Sequence, residues 1–393
     1  MPATKSGEHA LTARRPSFAP SLICPNLVAG TFFGFFCSET FSPPIRSSPM
    51  AEISWSSIRR EGSVRGRVVF AVLAALGVCP VLAEGLTEAN PGLLAVDSAD
   101  DLVFHDVPRK RKVPYRVSFP AAGGPYPVIV FSHGFGGNKD AFAAVGRHWA
   151  SHGYVVIHPS HADGQTRQSR AADTADQSAL QRTRPGRLLQ GLNDPERITD
   201  RVADIVLVID CLDTLPEAVP ALQGRVDAKR IGVGGHSFGA YTAMLIGGVT
   251  VDLGADEGRS FRDERVMCIL PISGQGTGQQ GLTGKSWAAL ALPMMTITGT
   301  RDRGAGGQGV DWKTEPYQLS PPGDKYLVVI DGANHFSFGG RLGARSAGVT
   351  DVVTVLSTHF WDAYLKHSKS SMQYLQSDRP AQESGGAYDF QRK

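Results

Sequence analysis

Two hydrophobic patterns alternate along the chain between residues 101 and 365. Apolar runs typical of strands lie at residues 113–119, 127–132, 154–158, 230–234, 265–272, 293–298 and 325–330. Apolar side chains that recur at every third or fourth position predict helices at residues 140–152, 198–212, 238–246 and 351–365. Strands that alternate with helices in this way indicate an α/β fold, with a mostly parallel central sheet and helices on both faces.

Two polar stretches interrupt this alternation. Residues 162–195 are rich in Arg and Gln and follow a predicted strand, and residues 274–285 are rich in Gly and Gln. Long loops in compact domains are usually functional or disordered, and open α/β sheets bind ligands beyond the carboxyl ends of their strands. We expect both stretches to form a rim around a substrate site, the second of them flexible.

The N-terminal part of the chain predicts a targeting segment. Four arginines between residues 59 and 67 precede an apolar run at residues 68–82, and Ala83 follows. This is the order of a secretory signal peptide, and the run is too short to span a bilayer. We expect cleavage after Ala83 and a secreted or periplasmic protein. A lipoprotein signal at Cys79 is less favoured, because Val78 is bulky for the position before a lipidated cysteine.

The predicted organisation has three parts. Residues 1–83 are an N-terminal extension plus the signal peptide, residues 84–368 are the catalytic domain, and residues 369–393 are a polar, disordered tail. The signal lies far from Met1, whereas Met50 lies at a normal distance. We therefore favour a start codon assigned too early over a real disordered extension.

Composition and charge exclude some classes of protein. The formal net charge of +3 is too small to indicate a nucleic-acid partner, and the basic cluster at residues 109–112 is expected to be the solvated start of a strand. Three of the five cysteines precede the predicted cleavage site. The other two, Cys211 and Cys268, are either buried apolar thiols or a disulfide. No Cys/His spacing predicts a metal site.

The sequence GHSFG at residues 235–239 carries the clearest chemical signal. It follows an apolar strand and opens a predicted helix, which is the setting of the nucleophile elbow G-x-S-x-G. The sharp turn exposes the Ser237 hydroxyl, and glycine on each side lets neighbouring backbone approach closely. Ser237 is therefore the candidate nucleophile.

A serine hydroxyl needs a base, and the base needs an acid that orients it. His335 lies in a glycine-containing loop after the last predicted strand, which suits a base in this chain order. Asp302 follows the strand at residues 293–298 and is the favoured acid. Asp311 and Asp331 remain alternatives: Asp311 lies farther from the strand end, and Asp331 lies close to His335 in sequence.

The oxyanion of an acyl-transfer reaction needs two preorganised N–H donors. The amide of Phe238 follows the nucleophile, and the amide of Phe135 lies in the glycine-rich loop HGFGG after an early strand. His161 and Trp287 are candidate substrate-binding residues in an apolar pocket, although core packing explains such side chains equally well.

The segments SHGFGG, GHSFGA, TGTRD and GANHFSF together resemble the α/β-hydrolase superfamily over about residues 103–365. Within it, the chain is similar to bacterial dienelactone-hydrolase-like esterases, platelet-activating-factor acetylhydrolases and cutinase-like polyester hydrolases. The resemblance implies an α/β-hydrolase fold. The acetylhydrolases take their acid from just after the strand that follows the nucleophile. Residues 271–275 hold no carboxylate there, which favours Asp302.

The residues and the resemblance together predict a secreted serine esterase that works through an acyl-enzyme, without cofactor or metal. Its partner would be a small-molecule or polymeric ester, and we expect a monomer with no nucleic acid and no stable membrane anchor. Two alternatives stay open. One is a lipid or phospholipid acyl hydrolase of the acetylhydrolase type, and the other is a non-catalytic binding protein on the same fold.

Overall fold

The strands and helices that the sequence predicts fall close to their predicted positions. The structure is a computed structural model that describes residues 90–164, 185–340 and 346–393. Its strands are β1 (Val96–Asp106), β2 (Arg111–Pro120), β3 (Tyr126–Ser132), β4 (Val155–Pro159), β5 (Val226–His236), β6 (Val251–Leu253), β7 (Asp256–Arg259), β8 (Val266–Ile272), β9 (Met294–Gly299), β10 (Lys325–Ile330) and β11 (Tyr388–Arg392). Its α-helices are α1 (Ala143–Ser151), α2 (Pro185–Leu192), α3 (Pro195–Asp210), α4 (Leu215–Ala218), α5 (Phe238–Gly247), α6 (Val310–Leu319), α7 (Ala347–Leu365), α8 (Lys369–Leu375) and α9 (Arg379–Glu383).

The central sheet has nine strands in the order β1-β2-β4-β3-β5-β8-β9-β10-β11. The strands from β4 to β10 in this order run parallel to one another. The pairs β1–β2, β2–β4 and β10–β11 are antiparallel and form the two edges. The prediction of a mostly parallel sheet is therefore confirmed.

Helices cover both faces of this sheet. Along β3, Val128 and Val130 belong to one buried cluster, whereas Ile129 and Phe131 belong to another. The first cluster includes residues of α3 and α5, and the second includes residues of α1 and α7. Because neighbouring residues of a strand point to opposite faces, a strand between two cores reads as a continuous apolar run.

The two cysteines of this domain lie in different cores. Cys211 packs in the first cluster and Cys268 in the second, on opposite faces of the sheet. Both are buried, and they form no disulfide with each other. Of the two possibilities left by the sequence, the structure shows buried thiols.

The prediction of a disordered tail after Ser368 is wrong. Residues 369–393 form α8, α9 and β11, and β11 pairs with β10 through partners such as Phe390 and Val328. Phe390 is the one buried residue of β11, so the sequence of β11 has too few apolar positions to predict a strand. β1 was missed for the same reason, because its side chains are mostly exposed at the sheet edge. α6 was also not predicted.

The structure describes the two polar stretches to different extents. Residues 165–184 of the first stretch lie outside the described residues, and the last part of that stretch forms α2. The second stretch is described throughout and is partly buried. The Tyr241 hydroxyl donates to the Gln280 carbonyl oxygen at 2.6 Å, and Trp312 Nε1 donates to the Thr277 carbonyl oxygen at 2.8 Å.

The predicted signal peptide lies outside the described residues, which begin at Asn90 and belong to the compact unit Pro80–Lys393. No helix within the described ranges is both long enough and apolar enough to cross a membrane.

Candidate active site

Ser237 occupies a strained turn between β5 and α5. Its backbone has φ 56° and ψ −118°, a region that residues other than glycine rarely adopt. The Ser237 N–H donates to the Ile272 carbonyl oxygen of β8 at 2.9 Å, which fixes the turn to the neighbouring strand. The side chain thus lies at the carboxyl end of the sheet and is half-buried.

The two glycines that flank this turn are required by contact distances. A Cβ on Gly235 would lie 2.2 Å from the Gly239 carbonyl oxygen, and a Cβ on Gly239 would lie 1.9 Å from the Ser132 carbonyl oxygen. Both contacts involve backbone atoms, which have no room to move without displacing β3 or α5. The sequence pattern G-x-S-x-G therefore reflects close packing of the turn against β3.

His335 and Asp302 are hydrogen-bonded to each other. His335 Nδ1 lies 3.1 Å from Asp302 Oδ1, in the loop after β10. Asp302 follows β9, is 0% exposed, and accepts a second hydrogen bond from Thr298 Oγ1 at 3.0 Å. Burial alone would raise the pKa of Asp302. The hydrogen bond from His335 and the positive charge of Lys313 outweigh burial and lower this pKa to about 2.

The two alternative acids lie elsewhere. Asp331 accepts a hydrogen bond from Thr300 Oγ1 at 3.2 Å. Asp311 and Asp331 both line an open groove of about 550 Å³ between α6 and β10, and none of Ser237, Asp302 and His335 lines it. The structure therefore brings Asp302, and neither alternative, into contact with His335.

Two contacts tie the surroundings of Ser237 to His335. His236 Nε2 donates to the His335 carbonyl oxygen at 2.9 Å, so the residue before Ser237 holds the His335 backbone. Ser273, which follows the strand that binds the Ser237 amide, has its Oγ 2.9 Å from His335 Nδ1. These contacts place the candidate nucleophile, base and acid at neighbouring strand ends.

The loop after β3, residues 133–137, is held by a buried clamp that the sequence did not reveal. We call this segment the oxyanion loop. Asp163 Oδ2 accepts from the Gly136 N–H at 2.7 Å, and Arg201 Nη1 donates to the His133 carbonyl oxygen at 2.8 Å. Burial opposes ionisation of Asp163, but the Arg201 guanidinium outweighs it and holds the pKa of that carboxyl well below its usual range. Arg201 lies on a predicted helix, yet spacing does not show that its charge is buried.

One candidate oxyanion donor lies on the oxyanion loop and the other at the start of α5. The Phe238 amide is the first of α5, and the first four N–H groups of a helix have no partner within it. Phe135 precedes the clamped Gly136, and the rings of Phe135 and Phe238 lie 6.0 Å apart. The Arg201 Cζ lies 4.5 Å from the centre of the Phe238 ring. One guanidinium therefore supports both the loop and the first residue of α5.

The substrate-binding roles predicted for His161 and Trp287 do not fit their positions. Both side chains are 0% exposed, and Trp287 packs in the core cluster on the α3 and α5 face. His161 bridges Ser132 Oγ and Asp204 Oδ2, each at 2.8 Å. Neither reaches an open surface, so core packing, the other possibility named for them, is the better description.

The basic cluster at residues 109–112 is not simply solvated. Asp204 accepts from Arg109 Nη2 at 2.9 Å and from Arg111 Nη2 at 2.8 Å. Asp204 is fully buried, and these two ion pairs join the start of β2 to α3 behind His161.

Ser273 and Lys313 are two further residues of the site that the sequence analysis missed. Ser273 contributes a hydroxyl to His335, as described above, and Lys313 Nζ donates to the same hydroxyl at 3.1 Å. Lys313 lies on α6, which has no clear apolar period and was not predicted. No sequence signal pointed to either residue.

Comparison with known proteins gives partial matches. A family model described as platelet-activating factor acetylhydrolase, isoform II, matches residues 103–262, which include Ser237 but neither Asp302 nor His335. Cutinase est2 of Thermobifida alba is 25% identical over 223 residues, which cover 56% of this chain and 56% of that protein. Platelet-activating factor acetylhydrolase of Canis lupus familiaris is 32% identical over 143 residues, which cover 31% of this chain and 32% of that protein.

A further relative has a similar level of identity. Platelet-activating factor acetylhydrolase of Bos taurus is 31% identical over 144 residues, which cover 31% of this chain and 32% of that protein. The chain thus spans from about a third to about half of the length of the relatives it matches. The sheet, the turn at Ser237 and these matches together show an α/β-hydrolase fold, and the chain resembles the serine ester hydrolases of that fold.

Proposed function

We propose that this protein is a secreted serine hydrolase that cleaves carboxylic esters through an acyl-enzyme. The observation that carries the proposal is the pairing of His335 with the buried, ionised Asp302 beside the strained Ser237 turn. A carboxylate that accepts a hydrogen bond from Nδ1–H leaves Nε2 of the imidazole as the basic nitrogen. That is the tautomer a general base needs. Export would follow from the predicted signal peptide.

The reaction would proceed in two displacement steps. Ser237 Oγ attacks the ester carbonyl carbon while its proton passes to His335 Nε2, and the carbonyl oxygen takes the negative charge. The amides of Phe135 and Phe238 stabilise this oxyanion. Collapse of the intermediate breaks the bond to the alkoxy oxygen, which receives the proton from His335. Water then repeats the sequence on the acyl-enzyme and releases the acid.

An exposed aromatic residue beside the candidate base favours substrates with an apolar group near the ester. Phe336 is 62% exposed, and its ring lies edge-on to the His335 ring at 5.3 Å. The other large apolar side chains exposed in the described ranges are Leu93, Leu94, Val103, Val107 and Leu319. Phe336 is the one among them that adjoins the candidate base, so it would contact an acyl or alcohol group held at Ser237.

A phospholipid acyl hydrolase is the second candidate function. It is favoured by the matches to a platelet-activating factor acetylhydrolase model and to acetylhydrolases of mammals. Enzymes that act on lipid aggregates need an apolar surface around the site that docks on the interface. Among the described residues, Phe336 is the large exposed apolar side chain that adjoins the candidate base, and one side chain supplies little such surface, so we place simple esters first.

The test is an activity profile of the protein beside its Ser237→Ala variant. We expect the wild type to cleave p-nitrophenyl acetate and butyrate, to react once with a fluorophosphonate probe, and to lose both properties in Ser237→Ala. Equal inactivity of both proteins would reject the esterase. A higher rate on short-chain phosphatidylcholine, rising further above its micellar concentration, would favour the phospholipid hydrolase instead.

A further inference from the structure

A buried lysine lies beside the candidate acid, where the proposed reaction does not require a cation. Lys313 Nζ donates to the Ser273 hydroxyl and to the Ser273 carbonyl oxygen, each at 3.1 Å, and lies 4.0 Å from Asp302 Oδ1. Its side chain is 1% exposed. Removing an ammonium group from water is costly unless other groups compensate it. The groups that compensate the Lys313 ammonium are Ser273 and Asp302, which also hold His335.

The Ser273 hydroxyl connects the lysine to the base. An ammonium group only donates hydrogen bonds, so the hydroxyl oxygen must accept from Lys313. The same oxygen lies 2.9 Å from His335 Nδ1, and its proton is free to bond Asp302, whose carboxylate it stabilises. Nδ1 therefore faces two acceptors, Ser273 Oγ and Asp302 Oδ1. The ring is held by both.

The backbone at Ser273 is strained, which indicates that its position is required. Ser273 has φ 55°, a value that favours glycine, and its side chain is fully buried. Its N–H donates to the Ile297 carbonyl oxygen of β9 at 2.7 Å. Such conformations persist when the surrounding structure imposes them, and they are frequent at functional sites.

We propose that Lys313 is a positioning residue, which acts through Ser273 and Asp302 to hold the His335 ring and to set the lower pH limit of the reaction. The inference rests on the proposed function, because it concerns the same base. Among the described residues, Asp302, His236 on β5 and the neutral Ser273 hydroxyl on the loop after β8 contact His335, and Lys313 on α6 lies beside Ser273 and Asp302.

The charges around His335 determine in which direction Lys313 changes the protonation of this base. Burial keeps His236 neutral by lowering its pKa to about 3. Burial also lowers the pKa of Lys313, but the nearby Asp302 opposes that change and favours the ammonium form. The positive charge of Lys313 therefore offsets part of the negative charge of Asp302 near the base. Without Lys313, an uncompensated carboxylate would stabilise the imidazolium form of His335 and keep the base protonated to a higher pH.

The first test is the pH profile of kcat/KM for p-nitrophenyl acetate in Lys313→Met. We expect its acidic limb to move upward by about one pH unit. Lys325→Met is the matched control, because Lys325 is also 1% exposed but bonds the Gly323 carbonyl oxygen at the opposite end of the sheet. An acidic limb that coincides in the two variants would overturn the proposal.

The second test is Ser273→Gly, which removes the hydroxyl and suits the positive φ. We expect kcat to fall about tenfold or more at every pH, with a smaller shift of the acidic limb because Lys313 keeps its charge. Wild-type kcat would show that the hydroxyl does not position the ring. This variant also decides the proposal if Lys313→Met fails to fold.

A third measurement separates this inference from the proposed function. The ring signals of His335, assigned by comparison with His335→Gln, are followed by NMR as the pH is changed. A higher titration midpoint in Lys313→Met, with Lys325→Met unchanged, supports the inference even if no ester is cleaved. An unchanged midpoint rejects it, whereas failure of the wild type with both esters and fluorophosphonate rejects the proposed function alone.

Discussion

Arg201 and Asp163 form a buried, two-pronged ion pair directly behind the oxyanion loop. Nε of Arg201 lies 3.0 Å from Oδ1 of Asp163, and Nη2 lies 2.8 Å from Oδ2. Both side chains are almost completely buried. The same Oδ2 accepts from the Gly136 amide, next to the Phe135 amide that is the candidate oxyanion donor. A charge pair inside the protein thus fixes a backbone group at the candidate active site.

We expect Arg201→Met to reduce kcat about a hundredfold with a small change in KM, because a displaced oxyanion donor weakens transition-state binding. The free energy of unfolding should fall by about 3 kcal/mol, because Asp163 is left buried without its partner. Steady-state kinetics and urea unfolding measure the two effects. Arg259→Met is the control, because its pair with Asp256 is exposed and should contribute less than about 1 kcal/mol. Wild-type kcat in Arg201→Met would show that the loop does not depend on the clamp.

Asp302→Asn should lower kcat by about 10⁴, because an amide in place of the carboxylate favours the wrong His335 tautomer. Asp331→Asn is the matched control and should keep nearly full activity, since Asp331 bonds Thr300 and not His335. Both variants are measured on p-nitrophenyl acetate. The reverse order of the two effects would assign the acid to Asp331.

Ser237→Gly should be more stable than Ser237→Ala by about 1 kcal/mol, although we expect both variants to be inactive. The reason is the backbone at this position, where φ 56° suits glycine and strains alanine as much as serine. Urea unfolding of the two variants gives the difference directly. Equal stability would mean that the turn stores no strain.

Phe336→Ala should reduce the preference for longer acyl chains. If the exposed ring contributes about 1 kcal/mol of apolar contact, kcat/KM for p-nitrophenyl octanoate falls roughly fivefold while that for the acetate changes little. Val107→Ala is the control, because Val107 is also exposed but lies in the turn between β1 and β2. An equal loss on both esters would place the effect of Phe336 on His335 instead of on the substrate.

Acid should destabilise the fold between about pH 6.5 and pH 4. Burial lowers the pKa of His158 to about 4 and that of His236 to about 3, from an ordinary value of 6.5. The unfolded chain therefore binds protons that the folded protein does not, and the stabilisation present above pH 6.5 is lost as the pH falls. At pH 5 we expect each of the two histidines to lower the free energy of unfolding by about 2 kcal/mol. Urea unfolding at pH 7.5 and pH 5 measures the difference in the free energy of unfolding. His158→Phe should make that difference smaller. An unchanged difference would contradict the assignment of the acid effect to His158.

The sequence predicts best what local constraints determine. β10 was predicted to the residue, because a strand buried on both faces shows as an uninterrupted apolar run. The Ser237 turn was recognised because Gly235 and Gly239 are needed for contacts within a few residues and with β3. The choice of Asp302 followed from chain order, and the structure brings it to His335. Its catalytic role remains a prediction.

What the sequence did not predict depends on contacts between distant segments. Lys313 reaches Ser273 across 40 residues of chain, and Arg201 reaches His133 across 68. A buried charge looks the same in sequence as a solvated one, so only the fold distinguishes them. The substrate-binding role predicted for Trp287 does not fit the structure for a different reason. An aromatic side chain that could line a pocket serves equally well in the core, and Trp287 packs there.

The pairing of β11 with β10 also has a consequence for solubility. β10 carries the loop of His335 and is almost entirely apolar, and an uncovered strand of this kind can pair with another molecule and start aggregation. β11 covers it and turns polar or charged side chains outward, among them Asp389, Gln391 and Arg392. The last strand of the sheet thus shields the apolar strand β10 from other molecules, next to the loop of the candidate base.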